Sequence, residues 1–540
     1  MKKLIYNLFG IIVLATIVSS CDNLDEKLYN QVSVDDFGKT QAEQDALVGT
    51  IYTGLQRFDA LTCIPLADIS GESVVIPRRG GDWWDGGAHM ELTKHMWDPQ
   101  SSMSASYLLN GSQDWGCWYN AYHNITLCNQ LIAMLESGNN DPTVIQGSIA
   151  QIRGIRAFWY YFLIDTFGNV PIITDFYDTS LPATTIPGQR KIVYEFIIAE
   201  LDAITPLLPP GGTNMQYYGK FTKGAAWAIR AKMYLNAMVW NPSAGPKWQA
   251  CADACDTLFS MGYELEPVWR TNFIPQNQTS KEAIFSVVFK NGDGGNNILT
   301  MTLHYLSGEA LNVYNWPWNG TSAMPQYAKA FDTINDIRFS QSFLIGPQVS
   351  RLTGEQIYTS ENRPLIYSTD IPRHDMEDGW GSAYQEAGAR CWKWPPEDGL
   401  NTTMENDFHI FRISDFYLMK AEALVRRDGG SNAEATDLVN AIRSRAFPNM
   451  PDKLYSSASL DDIMMERRFE LAWEAYSRQD QIRFGRFGDA VPGWKDEDVK
   501  DLNDNPEWFP GGHTHYDLFP IPQGARNANP NLAQNPGYLQ

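Results

Sequence analysis

Tryptophan, arginine and aspartate come together in two stretches of this 540-residue chain that carry Gly and Pro and lie away from its periodic helical segments. The first, 68–97, holds Asp68, Arg78, Arg79, Asp82, Trp83, Trp84 and Asp85. The second, 305–318, runs from Tyr305 through Asn312, Tyr314, Asn315 and Trp316 to Trp318. A supporting set is Arg373, Trp380, Tyr384, Trp392 and Trp394. The chemistry such residues offer is sugar recognition. An aromatic ring gives the C–H face of a pyranose a flat apolar platform with a negative face. Arg and Asp give forked hydrogen bonds to hydroxyls. The expected ligand contacts are Asp68, Trp83, Trp84, Trp316, Trp318, Arg373 and Tyr384. For each Trp the competing role is core packing or a protein interface.

Residues arranged for catalysis are not apparent. No G-x-S-x-G, H-E-x-x-H or phosphate-loop pattern is present; before Gly219-Lys220 the required glycine at position 214 is Asn214. Glu466 and Glu470 share a helix face at i, i+4, a possible carboxylate pair. Arg467 and Arg468 between them favour a salt-bridge network. His513, His515 and Asp517 have metal-ligating side chains, but they directly precede Leu518–Pro522, which favours loop packing. The acids Asp496, Glu497, Asp498, Asp501 and Asp504 lack an EF-hand pattern, so a structural calcium has no motif behind it. No cofactor is implied. Cys251 and Cys255 stand one helical turn apart without a second pair at zinc spacing, and read as buried free thiols. The sequence leaves the pairing of Cys63, Cys117, Cys128 and Cys391 open.

The formal charge of −21 argues against nucleic acid, whose phosphates need Lys and Arg, and against anionic lipid. A neutral or cationic ligand fits better. Eighteen Trp and twenty-five Tyr are an unusual stock of binding-surface residues.

The elements that must position these loops are mostly helical. Apolar residues keep a helical step in six segments: Leu47–Phe58, Trp115–Leu135, Ile152–Phe162, Ile192–Leu208, Ala225–Trp240 and Trp248–Met261. The step returns along Ile410, Ile413, Tyr417, Ala421 and Leu424, breaks at Gly429-Gly430, and resumes from Ala435 to Ala446. Helical pairs at 30–40-residue spacing suggest degenerate tetratricopeptide-like hairpins. Residues 263–405 differ: they are rich in Gly, Asn, Pro and Trp, with one short strand at Ile284–Phe289 and a turn at Asn291–Asn297. The expected fold is mostly α, a hairpin scaffold with large irregular aromatic-rich loops and a few short strands. The scaffold would span about 38–262 and 406–490 and the ligand-facing insert about 263–405, within one domain from 21 to 540.

Residues 1–20 read as a signal peptide. Lys2 and Lys3 precede an apolar run from Leu4 to Val18, then Ser19, Ser20 and Cys21. The run is too short for a convincing membrane span. This ending resembles the bacterial lipobox, which implies that Cys21 becomes the lipidated N-terminus. Losing Lys2 and Lys3 and no acid would take the mature charge to −23. Asp22, Asp25 and Glu26 resemble the surface-export signal of Bacteroidetes lipoproteins.

An ordered set of segments resembles the SusD-like (RagB/SusD) lipoproteins. It comprises Arg153–Phe162 running into Phe167–Pro171, Phe221–Trp227 with Ala231–Leu235, and Arg412–Glu422 with Asn440–Ala446. Glu466–Leu471, Arg483–Phe487, Leu518–Pro522 and the Pro-rich ending Asn529–Tyr538 follow. The resemblance runs from Cys21 to Gln540. It implies a non-catalytic protein of the cell outer membrane, lipid-anchored and facing the exterior. Such a protein takes part in polysaccharide utilization. It holds an oligosaccharide as a lid over a SusC-type TonB-dependent transporter. A peptide-binding member of the same importer class is one alternative. A surface glycoside hydrolase, with two carboxylates about 5–9 Å apart, is another.

Overall fold

The computed structural model describes residues 40–57, 66–83, 85–104, 108, 116–138, 141–178, 183–186, 188–290, 295–313, 317–372, 383–400, 403–495 and 514–539. The signal segment, Cys21, Phe58, Cys63 and Trp115 lie outside them.

The scaffold begins with α1 (Gln41–Thr53). Thr40 caps it, its hydroxyl accepting from the Glu43 N–H while Glu43 reaches back to the Thr40 N–H. Then follow β1 (Val74–Val75), α2 (Ala88–Lys94), α3 (Cys117–Ser137) and α4 (Pro142–Thr166). Asp141 caps α4 and Pro142 opens it, where a missing N–H costs nothing. α5 (Gln189–Ile204) packs on α4, and α6 (Lys223–Leu235) packs on α7 (Trp248–Phe259). The sequence suggested one helix from Ala225 to Trp240. The chain instead breaks at Asn236, whose side chain turns back to the Lys232 carbonyl, and a separate turn covers Ala237–Trp240.

The second half of the scaffold is α10 (Ile413–Asp428), α11 (Ala433–Ala446), α12 (Leu460–Glu470) and α13 (Ser477–Arg483). Gly429 ends α10 at φ 69°, a left-handed cap that suits glycine. α10 packs against α7, α11 and α12 and joins the two halves. Ile410 does not lie on α10, as its spacing had suggested. It belongs to β8 (Phe408–Arg412), antiparallel to β2 (Ala283–Val287). All five residues of each strand are buried, so the pair lies inside the core.

Between β2 and β8 the chain carries only short elements among the described residues. These include α8 (Ile298–Thr302), α9 (Ser307–Leu311), β3 (Ser322–Ala323), β4 (Phe343–Leu344), β5 (Gly346–Pro347), β6 (Ile366–Tyr367) and β7 (Arg390–Cys391). β1 pairs with β3, β4 with β7 and β5 with β6. The Ala323 N–H donates to the Ala389 carbonyl and the Met324 N–H to that of Ser73. The residues flanking β1, the segment around β3 and the segment 383–391 are thus laced together, although they are far apart in sequence.

Buried charge ties this irregular region to the helices. Glu466 and Glu470 are 0% exposed. Arg338 meets Glu466 at 2.7 Å and Glu470 at 3.1 Å. Arg443 meets Glu466 at 2.6 Å, and Arg412 and Arg445 each meet Glu470 at 2.7 Å. Burial works against ionisation of Glu470, but Arg445, Arg412 and Arg338 outweigh it and hold the carboxyl below the ordinary range. These residues therefore form the salt-bridge network, not a catalytic pair. Also from α12, Arg467 reaches Asp415 and Asp480, each at 2.8 Å. Cys117, Cys128, Cys251, Cys255 and Cys391 are all buried free thiols.

A candidate glycan-binding face

Trp83 and Trp318 come from stretches 235 residues apart and meet edge to face, with ring centroids 5.1 Å apart and planes at 70°. Aromatic pairs favour this geometry because the positive edge of one ring addresses the negative face of the other. Both rings are partly buried. Trp83 also packs on His89, 4.9 Å between centroids. Its Nε1 donates to Asp85 Oδ2 at 3.2 Å.

The backbone beneath Trp83 is unusual. Trp83 and Asp85 have φ of 26° and 46°, and Gly86 and Gly87 have 63° and 96°. Two non-glycine residues in the left-handed region cost free energy that the surroundings must supply. Part of that support is visible at Gly320. A Cβ there would stand 2.2 Å from Cε3 of Trp83, so only glycine admits the indole at this depth.

Side-chain bonds hold the two loops in register. Asn319 Nδ2 donates to Asp82 Oδ2 at 3.0 Å. Arg79 is buried and donates to the carbonyls of Asn319 (2.9 Å), Gly320 (2.5 Å) and Ala387 (2.7 Å), and to Ser322 Oγ (2.6 Å). Arg390, also buried, reaches the carbonyls of Thr302 (3.2 Å) and Gln385 (2.9 Å). Arg79, expected to offer forked hydrogen bonds to a ligand, is thus a structural clamp with no exposed face, and Arg390 is a second clamp.

Asp68 requires the same correction. It is 1% exposed, and its Oδ2 accepts the Ala475 N–H at 3.1 Å. Ala475 has φ 64° and Trp473 φ 65°, so Asp68 braces a strained turn instead of reaching a ligand. Burial pushes its carboxyl up to about 7. Trp394 is buried and stacks on Phe408 with centroids 5.5 Å apart, a core role. Trp392 is partly buried against the same core. His515 packs against Tyr516 and Tyr538, centroids 4.0 and 5.1 Å away, as a loop residue would.

Tyr384 is partly buried and lies beneath the Arg363 guanidinium, 3.4 Å from its ring centroid. Arg363 is itself held by Glu386 at 2.6 Å. Next to it stands a group the sequence did not single out: Gln385, with Tyr305 and Ser360 on its side-chain oxygen. Tyr305 is 38% exposed. Trp84, Tyr314, Asn315, Trp316, Arg373 and Trp380 lie outside the described residues, as do His513 and the acidic run 496–504.

The arrangement offers aromatic rings, amides and forked charged groups on loops braced from behind by buried arginines. Comparison with known proteins agrees with the architecture. Residues 281–538 match the SusD family, and residues 88–235 match a family described as starch-binding and associating with the outer membrane. The chain is 24% identical over 494 residues to the starch-binding protein SusD of Bacteroides thetaiotaomicron, covering 83% of this chain and 81% of that protein. It is 25% identical over 562 residues to SusD-like protein P2 of Formosa agariphila, covering 100% of each. A solved laminarin-binding SusD-like protein superposes with a TM-score of 0.69 at 22% identity, over 93% of this chain and 100% of that one. The chain belongs to the SusD-like family, a class of tetratricopeptide-like helical binding proteins associated with the outer membrane and not enzymes.

Proposed function

We propose that this chain is a surface-exposed glycan-binding lipoprotein, anchored in the outer membrane through Cys21. It captures an oligosaccharide and lids a SusC-type TonB-dependent transporter that imports it. The observation that carries glycan binding is the Trp83–Trp318 pair, two rings brought together on loops that buried Arg79 holds in register. Starch and laminarin, the ligands named for two of its relatives, are both neutral glucans, in keeping with the acidic charge of this chain.

Affinity electrophoresis of the detergent-purified protein through gels containing soluble starch, laminarin and other polysaccharides tests the first half. Retardation by at least one glycan, with no new reducing ends released, is expected. Release of reducing ends would favour a hydrolase, and retention by peptides alone the peptide-binding alternative. Pull-down from outer membrane in mild detergent tests the second half. A large barrel protein is expected with the bait, and recovery of the lipoprotein alone would count against the lid.

A further inference from the structure

Gln385 Oε1 collects donors from three directions. The Tyr305 hydroxyl lies at 3.3 Å, Ser360 Oγ at 3.2 Å and His304 Nε2 at 3.5 Å. An amide's oxygen and nitrogen are told apart by their hydrogen-bond partners. Here the backbone decides. The Leu306 N–H donates to His304 Nδ1 at 3.1 Å, so Nδ1 carries no proton and the neutral ring carries its proton on Nε2. His304 is 0% exposed, and burial together with the nearby Arg390 holds its imidazole down to about 4, so the ring is neutral at physiological pH. An N–H at Nε2 can only donate, so the Gln385 atom facing it is the oxygen. The Gln385 NH2 therefore points away from His304. Among the described residues it meets no acceptor.

Its setting is a partly exposed one. Gln385 and Tyr384 are partly buried and Ser360 is exposed. The Tyr305 ring rests on His304, with centroids 3.9 Å apart, and stays 38% exposed. The Gln385 carbonyl is anchored from behind by Arg390. An aromatic ring and a directed pair of amide donors thus stand side by side.

We propose that Gln385 is a ligand-contact residue of the glycan site. Its amide, turned away from His304, donates to the oxygens of a neutral sugar unit stacked on Tyr305, and His304 acts as the positioning residue that fixes the amide's direction. This rests on the glycan-binding reading above.

The test is calorimetric titration of the detergent-purified protein with laminarihexaose and maltohexaose, preceded by the gel panel. Gln385→Met removes the donors at nearly constant volume. It is expected to weaken binding about two- to tenfold, the worth of one or two exchanged hydrogen bonds. His304→Phe should cause a similar loss. The double variant should bind no more weakly than Gln385→Met alone, because phenylalanine keeps a ring beneath Tyr305 and the remaining effect of His304 passes through Gln385. Nitrogen-15 spectra of the labelled imidazoles, assigned by the signal missing in His304→Phe, should show a neutral ring protonated at Nε2. Additive losses, an Nδ1-protonated tautomer, or full affinity in Gln385→Met while Trp318→Ala loses binding would each overturn the proposal and leave the glycan reading standing. If the unaltered protein binds no glycan in the panel or the titrations, the reading fails and the inference with it.

Discussion

The indole of Trp83 lies over the α-carbon of Gly320, at a depth where a methyl group would stand 2.2 Å from its ring. The same indole meets Trp318, two residues before that glycine. One short segment thus supplies both a partner ring and the space for the other to fit.

Trp318→Ala should weaken glycan binding by about 1–3 kcal/mol, by analogy with ring–base stacking, or roughly 5- to 150-fold. Trp84→Ala and Trp316→Ala should behave alike. Trp394→Ala, in the core, should instead cost about 3–5 kcal/mol of stability. Calorimetry and thermal melts on the same variants separate the two outcomes. Unchanged affinity in Trp318→Ala with a collapsed melting temperature would make that ring structural.

Gly320→Ala should displace Trp83 without removing it. Binding should fall while the melting temperature changes less than in Trp394→Ala, because Trp83 is only partly buried whereas Trp394 is buried in the core. Tryptophan fluorescence should report the shift. Wild-type emission together with wild-type affinity would show that the indole does not need this contact.

Glu470→Ala should destabilise the protein by about 3–5 kcal/mol, since it leaves Arg412 and Arg445 buried against an absent carboxylate. Denaturant unfolding measures this. A loss below about 1 kcal/mol would show that the network relaxes or admits water.

Asp68 gives a pH signature. Its carboxyl is raised from 3.8 to about 7 by burial, so between these values the folded protein holds a proton that the unfolded chain has released. Stability from this group is therefore present below about pH 4, falls as the pH rises toward 7, and is constant above. Each unit of the shift corresponds to roughly 1.4 kcal/mol. Asp68→Asn keeps an oxygen for the Ala475 N–H and should flatten the decline. An unaltered stability profile between pH 4 and 7 would count against a protonated Asp68.

Cys21→Ala should leave the protein without lipid and release it from the membrane. Labelling with a radioactive fatty acid reads this directly, and label persisting in the variant would refute the anchor. Neutralising Asp22, Asp25 and Glu26 should preserve the label but abolish cleavage by protease added to intact cells.

Much of the scaffold was legible in the sequence because its signals are local. A 3.6-residue apolar period and a stop such as Gly429 act within one or two turns, and they mark α10 and the second half of α4 without knowledge of the rest. The ordered SusD-like segments and the Trp-bearing stretches were equally plain. Ile410 was misplaced because its spacing to Ile413 and Tyr417 also fits a helix. Its strand exists only through pairing with β2, more than a hundred residues earlier. Pairing of that kind leaves no local period.

Side-chain roles followed the same division. Sequence alone supplied the residue types: rings and forked polar groups on loops, and Glu466 and Glu470 among arginines. Only the tertiary structure decided which of them face outward. Asp68 and Arg79 looked like sugar-binding groups, yet their burial turns one into a brace for Ala475 and the other into a clamp on Asn319 and Ala387. Gln385 carried no motif at all. Its directed amide exists because chain segments around 304, 360 and 385 converge, and a buried imidazole there can be protonated on one nitrogen only.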